Sequence, residues 1–196
     1  PRHDLRIGVM DTERRVLTRG ALNRVPEGLA VKEDRGLVLI GGPSKHHGWD
    51  GEALAPRVAE AIARRPALSW TVADSRRTPE GFLQGLRLPG AVRKVPHQET
   101  GPGWLADELA RARVVWATED SVSMVHEAVT AGAATGVLPA PALRGGGRLA
   151  RAVAGLAEAG LVARFPDEPA RAVEGFHEAG RCADLIVARW FACDTP

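Results

Sequence analysis

The sequence predicts an α/β fold in which a parallel sheet carries helices on both faces. Three observations carry that expectation. From about Gly36 onward, short apolar runs alternate with segments of helical periodicity. The runs at Leu37–Ile40 and Val114–Ala117 are apolar or small throughout, with no polar alternation. Strands of that kind are buried on both faces, as in βαβ units. Three of the runs end in loops rich in Gly, Ser, Thr and charge. In a parallel sheet such loops share the edge at which ligands bind.

The elements follow in order. Leu37–Ile40 reads as a buried strand, ended by Gly41, Gly42 and Pro43. Leu54, Val58, Ala61 and Ile62 then mark one face of a helix. Leu68–Ala73 is a second strand. Thr78-Pro79-Glu80 is expected to open a second helix, with Pro at a first-turn position. Ala91–Val95 is a third strand, and Leu105–Ala112 a short helix. Val114–Ala117 is a strand stopped by Thr118, Glu119, Asp120 and Ser121. Ser121 is a good N-cap, so the next helix starts at Val122.

That helix sorts its faces. Val122, Val125 and Val129 make one apolar stripe. Asp120, Ser123 and Glu127 repeat the same spacing about half a turn away, at roughly 3.6 residues per turn. The valines can pack on the sheet while Ser123 and Glu127 face outward. Ala134–Leu138 is a fifth strand, closed by Pro139 and Pro141. Leu149, Val153, Leu156 and Ala157 give another helix, and a last helix fills much of 170–191. Gly145, Gly146 and Gly147 read as a flexible loop.

Residues 1–35 differ. They hold extended pieces at Leu5–Val9 and Val16–Thr18 among dense charge. The expected division is 1–35 as the tail of an N-terminal domain plus a linker, and 36–196 as a C-terminal domain. The chain starts at Pro1, so the front of the natural protein is expected to be missing.

The 196 residues and 44% hydrophobic content allow one domain with a real core, or one plus part of another. Net charge is +2, from 26 basic and 24 acidic residues, so nucleic acid is not the expected partner. Cys182 and Cys193 stand eleven positions apart without ligand-spaced histidines. Free thiols in a reducing compartment are expected, which points to the cytoplasm. No apolar run approaches the roughly 18 residues of a membrane span, and no signal peptide is seen.

Three loops could carry chemistry. Gly41-Gly42-Pro43-Ser44-Lys45 pairs glycines, which admit close backbone approach, with a cation for phosphate. It lacks the order of a Walker A loop and of the dinucleotide glycine motif. A plain tight turn explains it as well. Ser75, Arg76 and Thr78 follow the second strand, and Arg offers a planar fork to phosphate oxygens. A solvated helix start is the alternative. Thr118–Ser121 runs into a helix whose N–H groups and dipole suit an anion. A capped surface helix is the bland reading. On one sheet edge, the three together favour an anion site more than each does singly.

No Asp-x-Asp pair follows a strand, and adjacent His46 and His47 do not naturally face one metal. Neither a metal nor a cofactor is expected. His97, His126 and His177 read as ordinary surface or partly buried residues. His3 and Asp4, ahead of the linker, could serve as acid, base or substrate contact, or as a plain strand-end loop.

Three motifs carry a resemblance: Leu39–His46, Ser75–Pro79 and Thr118–Ala128. With Pro1–Asp4 and Arg19–Arg24, they resemble the family named after a plant mitochondrial-fission factor ("elongated mitochondria"). Its bacterial members are classed among glycosyltransferases. That family is similar to the two-domain GT-B enzymes, including the transferase that adds N-acetylglucosamine in peptidoglycan synthesis.

The resemblance implies a nucleotide-diphosphate sugar as donor. Gly41, Gly42, Ser44 and Lys45 would line its pocket. Ser75, Arg76 and Thr78 would face the diphosphate. Asp120, Ser121 and Ser123 would sit at its helix cap, and Glu127 would take hydroxyls. It implies transfer without a metal to a sugar or lipid-linked glycan, with His3 and Asp4 as catalytic candidates and peripheral contact with the inner membrane. Ala112-Arg113 and the absence of Tyr depart from the family pattern. A protein-recruiting adaptor and a nucleotide-sugar epimerase are the alternatives. The chain alone is expected to fold without turning over a donor.

Overall fold

A computed structural model describes residues 16–26, 31–143 and 148–191. Six strands form one parallel sheet: β1 Glu33–Leu39, β2 Ser69–Ala73, β3 Arg93–Val95, β4 Ala112–Thr118, β5 Ala134–Leu138 and β6 Ala163–Arg164. Six α-helices join or follow them: α1 Gly51–Ala63, α2 Phe82–Gly85, α3 Trp104–Arg111, α4 Val122–Thr130, α5 Arg148–Glu158 and α6 Glu178–Trp190. The strand order is β3-β2-β1-β4-β5-β6. The chain therefore winds outward from β1 in one direction, then returns to continue from β4 in the other. The crevice between the C-terminal ends of β1 and β4 is the switch point where such sheets hold ligands.

Strand pleating explains why both faces are covered. Successive side chains point to opposite sides. On β1, Leu37 and Leu39 join a core with Leu109, Val125 and Val153 of α3, α4 and α5. Val38 and the following Ile40 join a second core with Leu54 and Val58 of α1 and Leu83 of α2. On β4, Val115 and Ala117 go to the first core, Val114 and Trp116 to the second. Continuous apolar strands are thus required, as the sequence predicts.

Two tryptophans set local registers. Gly36 on β1 faces Trp70 on β2, and Gly136 on β5 faces Trp116 on β4. A Cβ on Gly36 would lie 2.3 Å from the Trp70 ring, and one on Gly136 would lie 2.4 Å from the Trp116 ring. Each indole occupies the space that a neighbouring side chain would need.

Several boundaries depart from the sequence expectation. The second helix does not open at Thr78-Pro79-Glu80. Gly81 has φ +78°, which stops a helix, and α2 runs only from Phe82 to Gly85. The side chain of Thr78 is engaged elsewhere, as shown below. Strand β6 is absent from the sequence reading because two residues carry no readable period. The last helix begins at Glu178; ahead of it Ala170 bridges Thr135 of β5.

Residues 16–26 lie against α4 and α6. Val25 is buried in the first core. Asn23 donates to Thr130 Oγ1 at 3.0 Å, and the Arg19 N–H donates to Glu178 Oε2 at 2.7 Å. Gly20 sits on the His126 ring; its Cβ would lie 2.5 Å from Cδ2. His126 is therefore fully buried, with Nδ1 2.7 Å from the Val122 carbonyl, more so than the surface or partly buried residue expected. Lys32 donates to the carbonyls of Leu109, Ala110 and Ala131, at the C-terminal ends of α3 and α4, where a cation complements both dipoles. The expected Gly145–Gly147 loop lies outside the described residues.

Candidate functional site

The three loops named from sequence do meet at the switch point. Their contacts divide them into residues that knit the loops and residues that face outward.

The knitting residues come first. The Gly41 N–H donates to Thr118 Oγ1 at 2.7 Å, and the Gly42 N–H to Asp120 Oδ2 at 2.9 Å. Arg77 pairs with Asp120 Oδ2 at 2.7 Å and donates to the Gly42 carbonyl. Thr78 Oγ1 contacts the Ile40 and Gly41 carbonyls and accepts from the Ser75 N–H at 2.9 Å. Ser75 Oγ is 3.2 Å from the same oxygen. Ser44 Oγ accepts from the His46 and His47 N–H groups and closes its own turn.

These bonds give several expected donor contacts an internal partner. Gly41 and Gly42 admit protein, not open space. A Cβ on Gly41 would lie 2.1 Å from Asp120 Oδ2, and one on Gly42 would lie 2.0 Å from the Arg77 carbonyl oxygen. The Asp120 side chain is 2% exposed and belongs to Arg77 and Gly42. Its neighbour Glu119, also buried, pairs with Arg164 of β6. Both carboxylates at the end of β4 are thus neutralised by arginines from opposite sides.

The outward residues are fewer. Lys45 and Arg76 are exposed and have no ion-pair partner among the described residues. Ser121 holds the N-cap position, but its hydroxyl makes no capping bond, contrary to expectation. The Val125 N–H bonds to the Ser121 carbonyl at 3.2 Å. Among the described residues, the first-turn N–H groups of α4 therefore have no side-chain acceptor. Ser123 is exposed. Glu127 is partly buried, and burial pushes its carboxyl above the ordinary range. Val125 and Val129 are buried in the core with Val122 packed against it, as the stripe predicts. The open face of α4 narrows to the Ser123–Glu127 line, because the 16–26 segment covers His126 and Thr130. His3 and Asp4 lie outside the described residues.

Sequence reasoning missed Arg77 and Thr118. Adjacent Arg76 and Arg77 look alike in a sequence. The turn closed by Ser75 and Thr78 decides which one points inward. Thr118 is the last strand residue, where an Oγ1 can meet the neighbouring loop.

The sequence profile of the mitochondrial fission ELM1 family matches residues 1–190. The chain belongs to that family. No curated protein matches the chain. Among solved structures, this ELM1-family chain is similar to Phytolacca americana UGT2, solved with UDP-2-fluoro-glucose and pterostilbene. The identity is 16% and the TM-score 0.41, over 82% of this chain. The match spans 33% of the UGT2 chain. Among the described residues, no helix is long and apolar enough to cross a membrane. Nor do three His, Cys, Asp or Glu side chains gather as a metal group there.

Proposed function

We propose that this chain carries the nucleotide-sugar-binding domain of a metal-independent glycosyltransferase of the GT-B type. One observation carries the reading. A helix start without a side-chain cap stands at the switch point of a parallel sheet, with two cations in the loops beside it that have no ion-pair partner among the described residues. The free N–H groups of α4 and its dipole favour the diphosphate. Exposed Lys45 and Arg76, in the β1 and β2 loops, would supply cations to the same anion. Further along α4, Glu127 would accept sugar or ribose hydroxyls.

In such a reaction the nucleoside diphosphate leaves, and charge grows on its outer phosphate. Helix N–H groups and cations already in place stabilise that charge without reorganisation. His3 or Asp4 would supply the acid or base, ahead of the segment pinned on α4. A sugar or lipid-linked glycan acceptor, a peripheral inner-membrane contact and a cytoplasmic location belong to this reading through the family resemblance.

Calorimetric titration with nucleoside diphosphates and with inorganic diphosphate tests the proposal. Both should bind, and Arg76→Ala should weaken both while leaving nucleoside binding alone. Charge-assisted phosphate contacts contribute about 1.5–3 kcal/mol. Absence of binding for every nucleoside diphosphate would leave the adaptor reading in its place.

A further inference from the structure

Residues 16–26 touch no part of the proposed diphosphate site, yet they rest on the helix that forms it. The segment is fastened at two places. Near its start, the Arg19 N–H donates to Glu178 Oε2 at 2.7 Å, and Arg181 of α6 donates to the Leu17 carbonyl. Further on, Asn23 Nδ2 donates to Thr130 Oγ1 at 3.0 Å, and Asn23 Oδ1 accepts from the Val25 N–H at 3.0 Å. Between these fastenings Gly20 lies on the His126 ring. A Cβ there would lie 2.5 Å from Cδ2 and 3.0 Å from Nε2.

His126 links that segment to the start of α4. A carbonyl only accepts hydrogen bonds, so Nδ1, 2.7 Å from the Val122 carbonyl, carries the hydrogen. The Val122 carbonyl and the Ser123 N–H belong to one planar peptide group. That N–H is in the first turn of α4, which has no side-chain cap among the described residues. In the diphosphate reading it faces the anion. The anion and the His126 ring therefore hold one peptide from its two ends, and bonds in such a chain polarise one another. The ring is 1% exposed, under Gly20. When the segment lifts, water reaches the ring and competes for its bond to Val122. The first turn of α4 then loses a tether.

We infer that residues 16–26 form a strap whose closure is coupled, through His126, to occupation of the anion site at the start of α4. The inference rests on the diphosphate reading above. In one state the strap is closed, the ring holds Val122 and the first turn is ordered. In the other the strap is lifted, the ring is solvated and the first turn is frayed. An anion that binds only the ordered turn favours the closed strap. Reciprocity makes the closed strap favour the anion by the same factor. Binding at the switch point thus tightens the mooring of residues 16–26 on α4 and α6.

The test follows hydrogen exchange of residues 16–26 by mass spectrometry in the full chain, with and without inorganic diphosphate. Calorimetry supplies its Kd. At about ten times Kd, complete coupling slows strap exchange about elevenfold, and at least about threefold is expected. Strand β3, three places from β4 in the sheet, should keep its rate. His126→Leu fills the buried slot but cannot donate to Val122. It should bind diphosphate within about twofold of the unaltered chain, while strap exchange no longer responds. Gly20→Ala drives a methyl into the ring and lifts the strap. It should weaken diphosphate about threefold or more, although position 20 touches no ligand. Diphosphate binding that leaves strap exchange unchanged, or slows β3 equally, overturns the inference while the diphosphate site stands. An undiminished response in His126→Leu, or normal binding by Gly20→Ala, does the same. If His126→Leu does not fold, the unaltered chain and Gly20→Ala decide. If inorganic diphosphate does not bind at all, the donor-site reading falls, and this inference with it.

Discussion

Arg77 and Asp120 join across the switch point at 2.7 Å, and Asp120 at the same time accepts the Gly42 N–H. The pair couples the β1, β2 and β4 loops through one carboxylate. It holds the loops in a fixed relation before any ligand arrives, which is what an electrostatic binding site requires. Asp120, beside the start of α4, already has its cation, so its charge is balanced where a diphosphate would come.

Asp120→Ala should therefore destabilise the fold. It leaves the buried Gly42 N–H without an acceptor and Arg77 without its carboxylate. The cost should be about 2–3 kcal/mol in urea unfolding, less than for a fully buried pair because Arg77 is partly solvated. Asp120→Asn keeps an acceptor for Gly42 and should cost about half as much. A loss below about 0.5 kcal/mol for the alanine variant would mean that the loops hold together without this carboxylate.

Glycine substitutions should separate by what surrounds each position. At Gly42 a new methyl meets the Arg77 backbone at 2.0 Å, and backbone cannot rotate away. At Gly41 it meets the Asp120 carboxylate, which can turn at the expense of its bonds. In α5, Gly155 has nothing within 4 Å. Gly42→Ala should be the most damaging of the three. Gly155→Ala should stabilise by about 0.5–1 kcal/mol, through helix propensity alone. Thermal melts of the three variants give the order directly.

Glu178 ties the 16–26 segment to α6, and its titration should be visible in stability. Burial alone would raise its carboxyl. The Arg181 hydrogen bond and charge, with the Arg19 N–H and charge, outweigh that and hold it below the usual value of 4.5. The folded state thus binds this proton less readily than the unfolded one. Its contribution is complete above the unfolded value and disappears as pH falls through the folded one. Glu178→Gln should cost about 1–2 kcal/mol at pH 7. The gap to the unaltered chain should close as pH falls below 4.5 in matched denaturant titrations. A gap that stays constant with pH would assign the loss to packing.

The fold was legible because its signals repeat. Apolar runs such as Val114–Ala117 must be buried on both sides, and Leu54–Ile62 and Val122–Val129 show helical stripes. Short elements were not legible. Strand β6 has two residues, and α2 depends on the positive φ of Gly81 rather than on Pro79. The site was legible in place but less so in role. Sequence brought Gly41, Thr78 and Asp120 to one edge. It gave no means of seeing that they bond to one another, because those contacts link residues 37 to 78 positions apart.

Glu127 separates binding from stability most cleanly. It lies on the open side of α4, away from the buried Val125 and Val129. Burial pushes its carboxyl up, so the folded state holds that proton more tightly than the unfolded chain. Ionisation then opposes folding: stability falls as pH rises from the unfolded value of 4.5 through the folded one. Glu127→Gln removes that penalty. At pH 7 it should match or slightly exceed the unaltered chain in stability, within about 0.5 kcal/mol. Below pH 4 the two should melt alike. Sugar-nucleotide binding should fall about tenfold or more, since the amide accepts hydroxyl hydrogen bonds less strongly than a carboxylate. Inorganic diphosphate should bind as before or slightly tighter, because a negative charge near the start of α4 is gone. An early melt with normal binding of both ligands would make Glu127 a packing residue and remove the hydroxyl contact from the donor site.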